Sequence, residues 1–156
     1  MINTDRRFDV VIFDLDGTLT KTEHRHHLIP PPNTANSDKS WDAFSLAAKH
    51  DPPQSQVVLL ARMLYTFSSY FMIFSGRGEI ARADTVKWLV DNDLYYDELV
   101  MRTIGDATLD DQLKWKWYND RGLAGRDVIV FEDRQRVVDM WRRNGIRCFQ
   151  VANGDF

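Results

Sequence analysis

The stretch Asp9-Val10-Val11-Ile12-Phe13-Asp14-Leu15-Asp16-Gly17-Thr18 decides the fold of this chain. Its first five residues form an apolar run rich in β-branched side chains, which is typical of a short buried strand. The strand must end where the two aspartates and the glycine follow, because these residue types favour turns. Both carboxylates can then face one centre beyond the strand. An Asp-x-Asp-Gly loop is also a common polar turn, so this loop alone leaves a purely structural role open.

Four further apolar runs repeat this pattern, and helical periodicity fills the gaps between them. The predicted strands are Tyr70–Phe74, Glu98–Arg102, Asp127–Phe131 and Ile146–Val151. The predicted helices are Gln56–Ser68, Glu79–Asn92, Leu109–Arg121 and Gln135–Asn144, the last ending at Gly145. Continuous apolar strands that alternate with helices predict an α/β fold with a five-stranded parallel sheet covered on both faces.

The segment 20–53 interrupts this alternation between the first strand and its helix. A connection of this length is unusual and often functional. We interpret it as a small cap or lid inserted into a single domain that spans residues 1–156, with a short helix over Trp41–His50. The segment also holds His24, His26 and His27, whose spacing matches no standard zinc pattern.

Length and composition limit the class of protein. The chain has 156 residues, of which 44% are hydrophobic and 28% charged, as expected for one globular domain. Its formal net charge of −3 argues against a protein that coats nucleic acid by counterion release. The single cysteine, Cys148, the polar N-terminus and the lack of a long apolar run lead us to expect a cytoplasmic protein without membrane contact.

Charged and polar residues follow the predicted strands at their carboxyl ends, which form one edge of a parallel sheet. Ligands bind at that edge in open α/β sheets. The residues at this edge are Asp14, Asp16, Ser75, Gly76, Arg77, Arg102, Glu132 and Asp133. Clustered carboxylates repel one another, so this arrangement calls for a divalent cation, and hard oxygen ligands suit Mg²⁺.

Two patterns near this edge have more than one interpretation. The run Gly76–Ala81 follows a strand and matches a dinucleotide-binding fingerprint, but that fingerprint belongs on the first strand–helix turn, which the acidic loop occupies. We favour an anion site made by the Ser75 hydroxyl, by amides at a helix N-terminus and by Arg77. The spacing of Asp110 and Lys114 alone indicates an ordinary exposed helical ion pair.

Aromatic residues in the two last helices have a simpler interpretation. Trp115, Trp117 and Trp141 lie at amphipathic spacing. We therefore expect them in the core or at its rim rather than as platforms for nucleobases.

Four pieces in order resemble the motifs of the haloacid dehalogenase superfamily. They are Asp14-Leu15-Asp16-Gly17-Thr18, Ser75-Gly76-Arg77, Lys114 and Glu132-Asp133. The run Glu132 to Arg143, the ending Gln150 to Phe156 and the position of Arg25 resemble more closely the 3′-phosphatase domain of phage polynucleotide kinase–phosphatase. The resemblance implies a three-layer Rossmannoid fold with a small cap inserted after the first strand.

The resemblance also implies roles for individual residues. Asp14 would be the nucleophile that forms an aspartyl-phosphate, and Asp16 the general acid and then base. Asp14, Asp16 through its backbone carbonyl, and Asp133 would hold Mg²⁺, with support from Glu132. Lys114 would hold phosphate and restrain Asp14, and Asp110 would orient Lys114. The substrate contacts would come from Thr18, Arg25, Ser75, Gly76, Arg77 and Arg102.

These roles predict a Mg²⁺-dependent phosphomonoesterase that removes 3′-phosphate from DNA or RNA ends. The alternatives are a small-molecule phosphatase for nucleotides or sugar phosphates and a non-catalytic module that binds phosphate or nucleic-acid ends. None of the eight glycines forms a kinase phosphate-binding loop, so we expect no kinase activity. Whether a separate kinase or ligase works alongside this chain is open. Motif four has Glu132 where the close relative has aspartate. The oligomeric state is open.

Overall fold

The computed structural model describes residues 8–33 and 38–154 of the chain. Its strands are β1 Phe8–Phe13, β2 Ser68–Gly78, β3 Glu98–Arg102, β4 Val128–Glu132 and β5 Arg147–Gln150. Its α-helices are α1 Asp42–Ala47, α2 Ser55–Phe67, α3 Arg82–Asp91, α4 Asp110–Asp120 and α5 Gln135–Arg143. All five predicted strands and all four predicted long helices are therefore present, with shifts at their ends.

The five strands form one sheet in the order β3-β2-β1-β4-β5, and every neighbouring pair is parallel. Strand β1 lies at the centre, where Val10 pairs with Tyr70 on one side and with Val128 on the other. The predicted α/β fold with a five-stranded parallel sheet is confirmed. Because all strands point the same way, their carboxyl ends lie along one edge.

Alternate residues of β1 bury opposite faces of the sheet, which produces three layers. Val10 and Ile12 belong to a core shared with Trp117 of α4 and Trp141 of α5. On the other face, the core formed with α2 and α3 includes Val11, Phe13, Val58 and Leu89. Trp117 and Trp141 are buried and Trp115 packs against the same core, as their amphipathic spacing predicts.

The segment 20–53 leaves the sheet edge and returns to it. Thr20 pairs with Pro53 in an antiparallel bridge, and the Lys21 amide donates to the Pro52 carbonyl over 2.8 Å. Where the sequence predicts one helix over Trp41–His50, the structure has α1 followed by a 3-10 turn, Ala48–His50. The interpretation of this segment as a lid stays a prediction, and residues 34–37 of it lie outside the described residues.

A second predicted helix also starts differently from the expectation. Residues Glu79–Ala81 form a 3-10 turn, and α3 begins only at Arg82.

Among the described residues, no helix combines the length and the apolar character needed to cross a membrane.

Candidate active site

The tight loop after β1 places two aspartates at the sheet edge. Gly17 adopts a φ of 86°, and the amides of Leu19 and Thr20 both donate to the Leu15 carbonyl, over 2.9 Å and 3.0 Å. Positive φ of this size favours glycine, so the turn depends on Gly17. The loop therefore directs Asp14 and Asp16 to the edge where β2 and β4 also end.

Asp14, Glu132 and Asp133 form an acidic cluster. Each contributes a carboxylate oxygen, these oxygens lie within 4.8 Å of one another, and all three residues are buried. Asp14 Oδ2 is buried and has no hydrogen-bond partner among the residues that the structure describes. Buried carboxylate oxygens normally have a partner, so this oxygen fits a metal ligand. Hard oxygen donors at this spacing suit Mg²⁺, and the residues present fit that ion.

Lys114 is the cation that lies against this cluster. Its ammonium Nζ lies 2.6 Å from Asp14 Oδ1, 2.7 Å from Glu132 Oε2 and 3.3 Å from Asp110 Oδ2. Lys114 is 1% exposed, so the pair with Asp110 is not the exposed helical pair that spacing alone indicates. Burial opposes the charge of Lys114, but Asp110 and Asp14 keep its pKa well above the ordinary value.

Glu132 is fully engaged by the protein itself. Its Oε1 accepts from the amides of Asp133 and Arg134 over 3.1 Å and 3.2 Å, while Oε2 accepts from Lys114. Both oxygens therefore have partners, and the supporting role of Glu132 for the metal stays a prediction. The glutamate side chain at this position reaches Lys114.

Burial and mutual repulsion disfavour the charged forms of the three carboxylates in the acidic cluster. Burial, and then the neighbouring Glu132, raise the pKa of Asp14 to about 7. Burial likewise raises the pKa of Glu132 to about 7 and, together with Asp14, that of Asp133 to about 6. A bound divalent cation would offset this repulsion directly.

Asp16 belongs to a different group of charges, the two-arginine network of Asp16, Arg25, Asp51 and Arg77. Its Oδ1 accepts from Arg25 Nη2 over 2.8 Å and also from Arg77 Nη2. Burial favours the neutral acid, but the guanidinium groups of Arg77 and Arg25 outweigh it and hold the pKa of Asp16 well below its usual range. Asp16 is therefore ionised in this state.

Asp51 completes the network, and the sequence analysis missed it. Arg25 donates to Asp51 through Nε over 2.8 Å and through Nη2 over 2.6 Å. His24 Nε2 lies 2.8 Å from Asp51 Oδ1, and Trp88 donates to the Asp51 carbonyl over 2.7 Å. The only local signal for Asp51 is its place before two prolines at the end of the segment 20–53, because its partners lie far away in sequence.

The predicted substrate contacts divide into two groups. Gly76, Arg77 and Arg102 line a cavity over the acidic cluster. By contrast, Thr18, Arg25 and Ser75 are fully buried. Thr18 donates to Asp133 Oδ1 over 3.3 Å, and the Ser75 hydroxyl accepts from the Arg77 amide over 3.2 Å. A direct contact of these three residues with substrate stays a prediction.

Arg102 organises the loop between β3 and α4. Its Nε donates to the Gly76 carbonyl over 3.0 Å, and Nη1 donates to the carbonyls of Asp106 and Thr108 over 3.2 Å and 2.5 Å. Nη2 lies 3.5 Å from Asp110 Oδ1. Arg102 thereby joins the ends of β2 and β3 to the loop that forms one wall of the cavity.

Two glycines leave room for the Asp133 carboxylate. A Cβ at Gly17 would lie 2.2 Å from Asp133 Oδ2, and one at Gly154 would lie 2.1 Å from the same oxygen. The Gly154 amide also donates to the Asp133 carbonyl over 3.2 Å. The place of Gly154 in the site was not predicted from the sequence, because this contact depends on how the chain beyond β5 packs.

The cavity has a volume of about 560 Å³ and opens over the acidic cluster. Arg134 and Arg136, which the sequence analysis did not single out, also line it. Arg136 pairs with Asp111 over 2.6 Å. Trp41 and Phe44, from the segment 20–53, form part of its wall.

This fold and site define a phosphatase of the haloacid dehalogenase superfamily, a class of hydrolases. Within it, the chain belongs to the family of polynucleotide kinase PNKP phosphatase domains, whose sequence model matches residues 8–156. This assignment replaces the dinucleotide-binding interpretation of Gly76–Ala81, since β2 follows the acidic loop in this fold.

Solved structures agree with this assignment. A chain in the structure of a Pnkp1/Rnl/Hen1 RNA repair complex is 30% identical, with a TM-score of 0.76 over 97% of this chain and 45% of that chain. A second Pnkp1/Rnl/Hen1 complex gives the same identity and TM-score and is matched over 48% of its chain. This chain thus spans less than half the length of those relatives. A haloacid dehalogenase-like hydrolase from Streptococcus pneumoniae, 13% identical, shares the fold with a TM-score of 0.64, over 92% of this chain and 84% of that one.

Proposed function

We propose that this chain is a Mg²⁺-dependent phosphatase that removes the 3′-phosphate from nucleic-acid ends. The observation that carries the proposal is Asp14. Its Oδ1 is held by Lys114, while its buried Oδ2, beside Asp133, lacks a partner within the described part of the chain. A carboxylate in this setting can attack phosphorus while its charge is balanced. The 3′-end specificity is supported by the family to which the chain belongs.

The first chemical step joins Asp14 to the substrate. A carboxylate oxygen of Asp14 forms a bond to phosphorus, the bond from phosphorus to the 3′-oxygen breaks, and an aspartyl-phosphate results. The leaving oxygen takes a proton from Asp16. Mg²⁺, held by Asp14, Asp133 and the Asp16 carbonyl, would supply charge neutralisation for the transferring phosphoryl group.

Asp16 must be protonated to act in this first step, whereas the two-arginine network keeps it ionised. An incoming phosphate competes with Asp16 for Arg77, which lines the cavity. As Arg77 turns to the phosphate, the pKa of Asp16 rises and it can carry the proton. In the second step, ionised Asp16 accepts a proton from the water that hydrolyses the aspartyl-phosphate and releases inorganic phosphate.

The partners of this reaction are also proposals. One of the similar chains belongs to a complex named for RNA repair, which supports including RNA ends among the substrates. Whether a separate kinase or ligase acts on the dephosphorylated end stays open.

A substrate panel tests the proposed function. The purified chain with Mg²⁺ should release phosphate from 3′-phosphorylated DNA and RNA oligonucleotides, and not from 5′-phosphorylated ones. Turnover should stop with a chelator and in Asp14→Asn, because the nucleophile is lost. The control Asp91→Asn, at an exposed ion pair with Lys87, should keep full activity. Turnover of 3′- and 5′-mononucleotides or sugar phosphates alone would contradict the nucleic-acid specificity in favour of a small-molecule phosphatase.

A further inference from the structure

The cavity over the acidic cluster is larger than one phosphate group requires. Its volume of about 560 Å³ falls within the usual range for whole organic ligands, about 300–1,000 Å³. Asp14, Asp133 and Arg77, at the carboxyl ends of the strands, suit the phosphate. The rest of the cavity therefore has room for the part of the substrate that carries this phosphate.

Arg136 is the most exposed of the four arginines that line this cavity. The side chain of Arg77 is 1% exposed and that of Arg102 is 14% exposed, whereas that of Arg136 is 50% exposed. The fourth, Arg134, is intermediate in exposure. Arg136 therefore lies where the cavity meets solvent, which is where the rest of a long substrate has to leave the site.

The guanidinium of Arg136 has a defined position beside the acidic cluster. Arg136 is the second residue of α5, and its Nη2 lies 2.6 Å from Oδ1 of Asp111, the second residue of α4. Asp110, directly before Asp111, lies 3.3 Å from Lys114 Nζ inside the site. Arg136 also comes only three residues after Asp133, so their Cα atoms lie no more than about 11 Å apart. The ion pair thus joins the starts of two helices next to the reacting phosphate.

A guanidinium in this position suits a second phosphate. The contact with Asp111 involves Nη2, whereas a guanidinium carries five N–H donors in a fork that matches phosphate oxygens. In a nucleic-acid strand, the nucleotide that carries the 3′-phosphate is joined through its 5′-oxygen to a phosphodiester with one negative charge. A bound terminal phosphate therefore brings a second anion into the cavity, one nucleotide away from the acidic cluster.

We propose that Arg136 binds the phosphodiester on the 5′ side of the 3′-terminal nucleotide. This inference rests on the proposed function and adds a residue that favours a strand end over a mononucleotide, because a 3′-mononucleotide lacks this phosphodiester. A single contact of this kind needs no basic surface, so it is compatible with the net charge of −3. It also carries no base preference, since every nucleotide has the same linkage.

Three 3′-phosphorylated substrates test this contact: a dinucleotide, the same dinucleotide with an uncharged methylphosphonate linkage, and a mononucleotide. The wild-type KM should be lowest for the ordinary dinucleotide. Arg136→Gln should raise that KM roughly 5-fold to 50-fold, as expected for one charge-assisted hydrogen bond at a partly exposed site, and should leave kcat nearly unchanged. It should not alter the KM of the other two substrates. Arg136→Lys, which keeps the charge, should retain part of the affinity.

The control variant is Arg143→Gln, which removes the same charge from an exposed residue at the other end of α5, away from the cavity wall. It should change none of the KM values. Equal effects of Arg136→Gln on all three substrates, or no effect on the ordinary dinucleotide, would overturn the phosphodiester contact while the phosphatase activity stands. Thermal unfolding of each variant separates a loss of fold from a loss of binding.

A nucleoside 3′,5′-bisphosphate offers the other source of a phosphate on the 5′ side. If its KM depends on Arg136 while that of the dinucleotide does not, the phosphodiester contact is overturned in favour of a small-molecule ligand. Wild-type turnover of small phosphomonoesters without any turnover of 3′-phosphorylated oligonucleotides would overturn the proposed function itself.

Discussion

Replacing Asp51 by asparagine should weaken both the fold and catalysis. Asp51 and Arg25 each have side chains that are 0% exposed, and two Arg25 nitrogens donate to the Asp51 carboxylate. Arg77 Nη2 lies 3.4 Å from the same carboxylate. Asparagine keeps one acceptor oxygen, but it removes the charge and turns an amide donor towards a guanidinium. Arg25 and Arg77 are then left with Asp16 as their only nearby carboxylate within this network.

The magnitude follows from the burial of this network. Breaking a buried ion pair by removing one partner costs about 3–5 kcal/mol, because the other charge stays buried. For a chain of this size, that loss lowers the melting temperature by roughly 6–20 °C. Because Arg25 and Arg77 also hold Asp16, a displacement of Asp16 should lower kcat by up to about a hundred-fold.

Urea unfolding and steady-state turnover of a 3′-phosphorylated oligonucleotide measure the two effects. The matched control is His24→Ala, since His24 contacts the same carboxylate from a side chain that is 38% exposed. This control should lose no more than about 1 kcal/mol. If Asp51→Asn unfolds within about 1 kcal/mol of the wild type and keeps its kcat, the two-arginine network does not hold Asp16 as argued.

Two further predictions concern the acidic cluster. Gly154→Ala should reduce the rise in melting temperature that Mg²⁺ produces, because a Cβ there would lie 2.1 Å from Asp133 Oδ2 and 2.8 Å from the Asp133 carbonyl carbon. The control is Asn153→Ala, at the exposed neighbouring residue. If Mg²⁺ raises the melting temperature equally in both variants, the close approach of Gly154 to Asp133 does not matter for metal binding. Without metal, the free energy of unfolding should fall as pH rises from about 4 to about 7. The pKa values of Asp14 and Asp133 in the folded protein lie above their ordinary values. The folded state therefore binds more protons than the unfolded state in this pH range, and a rise in pH removes them. Unfolding of the metal-free protein at about pH 5 and about pH 8 measures this pH dependence, and a higher stability at about pH 8 would contradict the prediction. Mg²⁺ should stabilise the protein more at the higher pH.

The sequence by itself determined the sheet and the residues at its edge. Apolar runs such as Val10–Phe13 must be buried, and their alternation with helices permits few arrangements other than a parallel sheet. The polar residues after each strand then meet at one edge, so the proximity of Asp14, Asp133 and Arg77 follows from local pattern. Local pattern alone did not predict the role of Lys114. Its spacing from Asp110 indicated only a surface ion pair, and its role in the site came from the family resemblance.

Only the tertiary structure decided how these charges are paired. Arg25 and Asp51 are 26 residues apart, and Asp16 and Arg77 are 61 apart. No local periodicity encodes such contacts, because they depend on how the segment 20–53 folds back onto the sheet and on which side chains exclude water together. The same packing made Arg25, whose expected contact with substrate stays a prediction, a buried partner of Asp16. It also placed Trp41 of this segment on the wall of the cavity.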